Sequence, residues 1–189
     1  MKKIDVNFKK PSQQQLISLL ELYQTRKYPD AEKLSLSITQ EFPEHPFAWK
    51  VLGAALKQMG KINESLVASQ KSVQLEPQDS EAHNNLGITL KELDRLDEAE
   101  ASYRKVIALK PDYAEAHYNL GNALQELGRL EEAETSYRKA IDLKSSFREA
   151  ECGLGSVMIS KGQHKEGLEK LRLGQGAMFF DIDNGVVIQ

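Results

Sequence analysis

Residues 80–113 read SEAHNNLGITLKELDRLDEAEASYRKVIALKPDY, and the segment that follows directly, 114–147, reads AEAHYNLGNALQELGRLEEAETSYRKAIDLKSSF. The two segments have equal length and are identical at 21 of their 34 aligned positions. Identity this high at a fixed step indicates an internal repeat, in which each segment forms a structural unit that stacks on its neighbour. The sequence therefore predicts a repeat architecture and not a globule built around one core.

The same step, called the repeat period below, extends in both directions from these two segments. The recurring residues are a glycine at Gly53, Gly87, Gly121 and Gly155, and a proline at Pro43, Pro77 and Pro111. We predict an N-terminal extension over residues 1–11, a solenoid over 12–174 and a tail over 175–189. The predicted repeats are 12–45, 46–79, 80–113, 114–147 and 148–174.

Each repeat has the apolar spacing of two helices. Leu86, Leu90 and Leu93 keep the helical period, and Leu96 resumes it after a short break. Matching breaks contain Gly60, Gly128 and Gly162, and glycine adopts the left-handed backbone that closes a helix. Asp94 takes this place in the third repeat. The fold class is therefore all-α, with about five helix pairs.

Composition excludes several classes of protein. Lys and Arg number 25 against 28 Asp and Glu, and the resulting net charge of −3 argues against binding nucleic acid by bulk charge. The single cysteine, Cys152, excludes an internal disulfide and a metal site of several thiolates. No apolar run suits a signal peptide or a membrane span, so we expect a cytoplasmic protein without membrane attachment.

The repeats resemble the tetratricopeptide repeat family. The third repeat has its Leu86-Gly87, Leu90, Ala99, Tyr103 and Pro111, and the second has Trp49, Leu52-Gly53, Leu56 and Pro77. Departures are His83, His117 and Glu151 at the Trp49 place, and Ser145 at the proline place. The resemblance implies a right-handed α-α superhelix whose concave groove, lined by the first helices, binds a peptide or an extended segment of a partner protein.

The resemblance also implies which residues face the groove. The predicted contact residues are Lys50, Val51, Asn84, Asn85, Ile88, Tyr118, Asn119 and Asn122. Asn85 and Asn119 lie at equivalent places, where amides can pair with the backbone of an extended peptide. The alternative is that these asparagines only solvate the surface. A clamp for a terminal carboxylate is disfavoured, because Glu115 stands where a cation is needed.

Three glutamates, Glu81, Glu115 and Glu149, recur near the starts of first helices. They favour helix capping, since Asp112 and Ser146 precede Glu115 and Glu149 at the spacing of a capping box. An acidic surface for a basic partner is the alternative. The basic tripeptides that begin at Tyr103 and Tyr137 have a glutamate one helical turn before each arginine, which predicts a solvated outer face and not a nucleic-acid site.

No residues with the spacing of a catalytic or metal site occur. His83 and His117 lie one repeat apart without further ligands, so we predict structural roles, and Cys152 is predicted to be a small buried residue. No cofactor is expected, and the protein is predicted not to be an enzyme.

The tail interrupts the helical pattern. Asn184-Gly185 separates two apolar runs, which predicts a short C-terminal β-hairpin. A lone hairpin is marginal in water, so it needs the last helix pair, a second chain or a following domain to pack on.

Three functions fit these observations. The first is a non-enzymatic module that binds an extended partner segment in its groove. The second is an N-terminal docking arm of a larger enzyme, since similar repeats often precede glycosyltransferase, oxygenase or sulfotransferase domains. The third is a structural protein that forms a homo-oligomer by pairing residues 179–188 of its tail between chains.

Overall fold

The computed structural model describes residues 10–175 and the backbone of residues 179–181 and 185–187. The helices of the described chain alternate between first and second members of a pair. The first helices are α1 (Gln13–Gln24), α3 (Pro46–Gln58), α5 (Ser80–Glu92), α7 (Ala114–Glu126) and α9 (Arg148–Ser160). The second helices are α2 (Tyr28–Glu41), α4 (Ile62–Leu75), α6 (Leu96–Leu109), α8 (Leu130–Leu143) and α10 (His164–Gln175).

Helix starts follow the sequence period. The first helices α5, α7 and α9 each begin one repeat period after the preceding first helix, and the second helices do the same from α2 to α10. Helix α3 is the exception, since it begins one residue short of a full period after α1. Helix α8 ends at Leu143 although Ser145 replaces the proline that follows α4 and α6. The proline is therefore not needed to end the helix, and the predicted all-α class with paired helices is confirmed.

The turn inside each pair needs a left-handed residue. Gly60, Gly128 and Gly162 have φ of 74°, 74° and 83°, as the glycine pattern predicts. Asp94 takes the same conformation with φ of 58°, and so does Arg26 with φ of 59°. Arg26 lies one repeat period before Gly60. The first repeat therefore keeps the left-handed turn, although an arginine side chain disfavours this backbone conformation.

Small residues allow the two helices of a pair to approach closely. A Cβ added at Gly155 of α9 would lie 2.6 Å from the carbonyl oxygen of Gly167 in α10. A Cβ at Gly53 of α3 would lie 2.7 Å from Ser69 Oγ in α4. Ala99 and Ala133, at the recurring small-residue place of the second helix, are fully buried. Small side chains at these places therefore set how closely the two helices of a pair approach.

The chain divides into two compact units, Met1–Arg95 and Leu96–Gln189. In the first unit, α3 packs against both α1 and α5, whereas α2 and α4 do not pack on each other. In the second unit, α7 packs against α9, whereas α6, α8 and α10 do not pack on one another within the described residues. Within each unit the first helices therefore form the inner side of a curved layer.

Each unit has its own apolar core. In the first unit, one cluster joins Leu19, Ile38 and Val51 with smaller residues of α2 and α3, and another contains Leu52 and Leu56. In the second unit, the side chains that are almost completely buried include Tyr103, Tyr137, Leu124, Leu154 and Val157. The motif tyrosines Tyr103 and Tyr137 are thus core residues.

Two short strands are assigned in the tail. Strand β1 (Phe179–Asp181) pairs antiparallel with β2 (Gly185–Val187), with Phe180 opposite Val186. The turn at Asn184 and the side chains of both strands lie outside the described residues. The predicted hairpin, and what it packs on, therefore stays a prediction.

Candidate functional site

A hydrogen bond to the preceding loop anchors the first helices at their N-terminal ends. Trp49 Nε1 donates to the carbonyl oxygen of Pro43 at 2.7 Å. His83 Nε2 and His117 Nε2 make the same contact with Pro77 and Pro111, at 3.1 Å and 3.0 Å. Because a carbonyl oxygen only accepts, both histidines carry a proton on Nε2. Histidine thus replaces tryptophan as the donor, in agreement with the structural role predicted for His83 and His117.

In the first unit, Lys50 of α3 is held by two carboxylates. Its Nζ lies 2.7 Å from Asp79 Oδ2 and 2.9 Å from Glu81 Oε2. Asp79 also caps α5 by accepting from the backbone N–H groups of Glu81 and Ala82. Lys50 was predicted as a groove contact, but its ammonium joins the second repeat to the third. Because Asp79 and Glu81 already pair with Lys50, its ammonium is not available to bind a terminal carboxylate in a clamp.

The Lys50–Asp79 pair changes the proton affinities of both groups. Burial opposes the charge on Asp79, but the hydrogen bonds from Lys50, Ala82 and Glu81 and the charge of Lys50 outweigh it, so the pKa of Asp79 lies below its usual range. Burial likewise opposes the charge on Lys50, but Asp79 and Glu81 raise its pKa above the usual value. Both groups are therefore charged near neutral pH.

The other predicted contacts of the first unit divide into buried and accessible residues. Val51 is 6% exposed and belongs to the core cluster with Leu19 and Ile38. Asn84 is also buried. The interpretation of Val51 and Asn84 as groove contacts is corrected, because both are enclosed by neighbouring helices. Asn85 and Ile88 of α5 are partly exposed and can meet a partner.

In the second unit, aromatic rings replace the ion pair. Tyr118 of α7 is partly exposed, and its ring centroid lies 5.0 Å from that of Phe147 and 6.0 Å from that of Tyr137. Lys144 Nζ lies 4.5 Å from the Phe147 centroid and 3.4 Å from Glu115 Oε1. Tyr118 therefore offers an apolar surface beside the half-exposed ion pair of Lys144 and Glu115.

Two predicted amides lie on the same helix. Asn119 and Asn122 of α7 are both partly exposed. Asn122 Oδ1 accepts a hydrogen bond from the Tyr137 hydroxyl at 2.7 Å, and Gln125 Oε1 lies 2.8 Å from the same hydroxyl. Helix α7 therefore brings together Tyr118, Asn119 and Asn122, the three predicted contacts of the second unit.

The capping interpretation of two glutamates is wrong. The N-cap position is taken by Tyr113 in α7 and by Phe147 in α9, and neither side chain makes a capping hydrogen bond. Asp112 and Ser146 each lie one residue before the N-cap position, so they do not form the predicted capping boxes. Glu115 and Glu149 still stand in the first helical turn, where the positive end of the helix dipole favours a carboxylate.

Cys152 is partly exposed and not buried as predicted. It lies on α9 at the repeat place that Tyr118 takes on α7, which faces the partly accessible inner side.

The outer face of the second unit consists of ion pairs, as predicted. Arg104 pairs with Glu100 at 2.8 Å and Arg138 with Glu134 at 2.8 Å, each across one helical turn. Arg129 Nη1 also contacts Glu100 at 2.7 Å, which links the third and fourth repeats. These contacts occupy the arginines that a nucleic-acid site would need.

Comparison with known families agrees with this geometry. Models described as TPR repeat and tetratricopeptide repeat match residues 68–101, 89–128 and 114–147. This chain is a tetratricopeptide repeat protein. The matches cover part of the second predicted repeat and all of the third and fourth. No curated protein matches the chain in sequence.

Solved structures share the fold of this tetratricopeptide repeat protein at low identity. MamA is 23% identical with a TM-score of 0.76, over 82% of this chain and 91% of MamA. MamA residues 41-end from Desulfovibrio magneticus RS-1 is 21% identical with a TM-score of 0.78, over 86% of this chain and 92% of that one. YrrB, described as a TPR protein with an unusual peptide-binding site, is 16% identical with a TM-score of 0.74, over 87% and 84% of the two chains.

Sequence reasoning missed several contacts of this tetratricopeptide repeat protein. Asp79 was not recognised as a cap, although it directly precedes α5, and Ser12 forms a capping box with Gln15 at the start of α1. The motif spacing of Ser12 and Gln15 contained that signal. Nothing in the sequence separates Tyr137 from an ordinary motif tyrosine, because its amide partners belong to the preceding helix.

No metal-binding group of three or more His, Cys, Asp or Glu residues occurs within the part of the chain that the structure describes. None of its described helices combines the length and apolarity that crossing a bilayer requires.

Proposed function

We propose that this tetratricopeptide repeat protein is a non-enzymatic interaction module that binds an extended segment of another protein along the inner, first-helix side of its units. One observation carries the proposal: the scaffold contacts repeat, whereas the inner surface does not. Trp49, His83 and His117 make one recurring type of hydrogen bond to a prolyl carbonyl. At one partly exposed inner place, by contrast, the side chain changes from repeat to repeat, as Ile88, Asn122 and Ser156.

A surface that varies on a constant scaffold is suited to recognition. If the repeats served only to stack, we would expect equivalent inner places to keep equivalent chemistry. The partly exposed Asn85 and Ile88 in the first unit, and Tyr118, Asn119 and Asn122 in the second, are the contacts we propose. Asparagine amides donate to and accept from a peptide backbone, while Ile88 and Tyr118 supply apolar contact. YrrB, which shares the fold and is described as having an unusual peptide-binding site, supports peptide binding as the kind of function.

The test uses linear peptides selected on the full chain from a displayed random library. Replacing Asn85 and Asn119 together by Ala should weaken the selected peptide by about threefold or more, because the unit that binds the peptide loses an asparagine hydrogen bond. Asn63→Ala, on the exposed outer side of α4, is the matched control and should bind as the wild type. Helical circular dichroism should be the same for all three proteins. Equal affinity of the double variant and the wild type would overturn the proposal.

A docking role within a larger enzyme and self-association through residues 179–188 stay predictions. The side chains on which tail pairing depends lie outside the described residues.

A further inference from the structure

Tyr137 makes contacts that its place in the repeat does not require. Its ring, on α8, is 1% exposed and fills the space beside two glycines. A Cβ at Gly121 of α7 would lie 2.8 Å from the ring, and one at Gly153 of α9 would lie 2.5 Å from it. The ring is therefore fixed between the two first helices of the second unit.

The hydroxyl of this fixed ring reaches two amides of α7. It lies 2.7 Å from Asn122 Oδ1 and 2.8 Å from Gln125 Oε1. Burial raises the pKa of Tyr137, with smaller contributions from Tyr118 and Glu126, so the phenol keeps its proton and acts as a donor. It has one proton and donates to one oxygen at a time. The shorter contact is to Asn122.

The direction of each amide follows from this contact. The oxygen and the NH2 group of an amide diverge from the same carbon atom, so an amide whose oxygen accepts from a buried ring presents its NH2 group to other partners. The NH2 of Gln125 donates to Ser156 Oγ of α9 at 3.1 Å. Asn122 is partly exposed, which leaves room for its NH2 group to face the accessible side of α7.

We propose that Tyr137 is a positioning residue, which orients the Asn122 amide so that its NH2 donates to a backbone carbonyl of a bound peptide. The inference rests on the proposed function and specifies which peptide group the second unit recognises. It is particular to the fourth repeat, because the place of Asn122 is taken by Ile88 in the third repeat and by Ala54 in the second. The ring of Tyr137 packs in the core, and its hydroxyl contributes to peptide recognition through Asn122.

The experiment measures the affinity of a peptide selected on the full wild-type chain for Tyr137→Phe, Asn122→Ala and the double variant. Phenylalanine keeps the ring between Gly121 and Gly153 and removes only the hydroxyl. We expect Tyr137→Phe to weaken binding by about 3- to 10-fold, the effect of one lost or misdirected hydrogen bond. In the Asn122→Ala background, Tyr137→Phe should have no further effect, because Tyr137 acts through Asn122. Tyr103→Phe is the control, since Ile88 and Lys91 stand at the matching amide places of its repeat.

The outcomes separate the inference from the proposed function. Wild-type affinity of Tyr137→Phe, or equal losses from Tyr137→Phe with and without Asn122, would overturn the positioning role. If Asn85→Ala/Asn119→Ala weakens the same peptide while Asn122→Ala does not, the proposed function stands and this inference fails. If no linear peptide is recovered, or none responds to any of these substitutions, both fail. Thermal unfolding of each variant identifies a loss of affinity that comes from loss of fold.

Discussion

The two units differ in the side-chain contact that joins one first helix to the start of the next. In the first unit, Lys50 on one first helix meets Asp79 at the start of the next, at 2.7 Å. In the second unit, the matching residues are Tyr118 and Phe147, whose ring centroids lie 5.0 Å apart. Phe147 follows Tyr118 along the chain by the same distance as Asp79 follows Lys50. An ion pair and an aromatic pair therefore occupy one place of the repeat without changing the helix starts.

This difference shows which parts of the repeat carry the fold. Helix lengths, left-handed turns and small interface residues are common to both units, whereas the side chains that join successive repeats are interchangeable. The units should consequently respond differently to core truncation, to added volume and to acid.

The largest expected difference concerns the place shared by Ser69 and Tyr137. Tyr137→Ala should cost about 3 to 5 kcal/mol of unfolding free energy, because a large buried ring leaves a cavity between α7, α8 and α9. Ser69→Ala should cost about 1 kcal/mol or less, because little volume is removed. Urea unfolding followed by circular dichroism measures both. Similar costs for the two variants would show that Tyr137 does not carry the core of its unit.

Added volume at the helix crossings gives the next effect. A methyl group at Gly155 would meet the backbone oxygen of Gly167 at 2.6 Å and Leu171 N at 2.8 Å, and backbone atoms cannot move aside locally. Gly155→Ala should therefore destabilise the chain by about 1 to 3 kcal/mol. At Gly53 the nearest atom is the rotatable hydroxyl of Ser69 at 2.7 Å, and the nearest backbone atom, Ser69 N, is farther away at 3.2 Å. Gly53→Ala should be close to neutral, since alanine favours a helix by about 0.5 to 1 kcal/mol. A larger midpoint shift for Gly53→Ala would reverse this comparison.

Protonation of Asp79, which lies in the first unit, should give the smallest of these effects. The pKa of Asp79 is lowered in the folded chain, so its ionisation contributes stability above the unfolded pKa of about 4. That contribution is lost as pH falls through the lower folded pKa. The loss should be about 0.5 to 1 kcal/mol, as for partly exposed ion pairs.

Asp79→Asn isolates this contribution of charge, because asparagine keeps a side-chain oxygen that can cap α5. Its stability should fall less than that of the wild type between neutral pH and acid. Hydrogen exchange should place the difference in α5 and leave α7 unaffected, since Tyr113 and Phe147 take the Asp79 place in the second unit. Parallel acid dependence in both proteins would argue against the pair.

Much of the fold was predictable because it depends on local signals. The glycines at Gly60, Gly128 and Gly162 mark left-handed turns wherever they occur. Arg26 was missed because the residue type disfavours that conformation, although its distance from Gly60 was informative.

The candidate site was only partly predictable. Asn85, Tyr118 and Asn122, which repeat position predicted to face the groove, are partly exposed on first helices, and their contact with a peptide stays a prediction. Repeat position could not show that Val51 is enclosed by α1 and α2, or that Lys50 is neutralised by Asp79 at the start of the next helix pair. Burial and charge pairing depend on neighbours that a single repeat does not contain.

By itself, the sequence determined the period, the helix pairs and the turns inside them, because these follow from residues a few positions apart. The tertiary structure decided which side chains are available to a partner. Lys50 is occupied by Asp79, and the Asn122 amide is oriented by Tyr137, through contacts between different helices. Such contacts form only when the helices stack. Because the residues that make them lie far apart along the chain, the sequence alone does not reveal them.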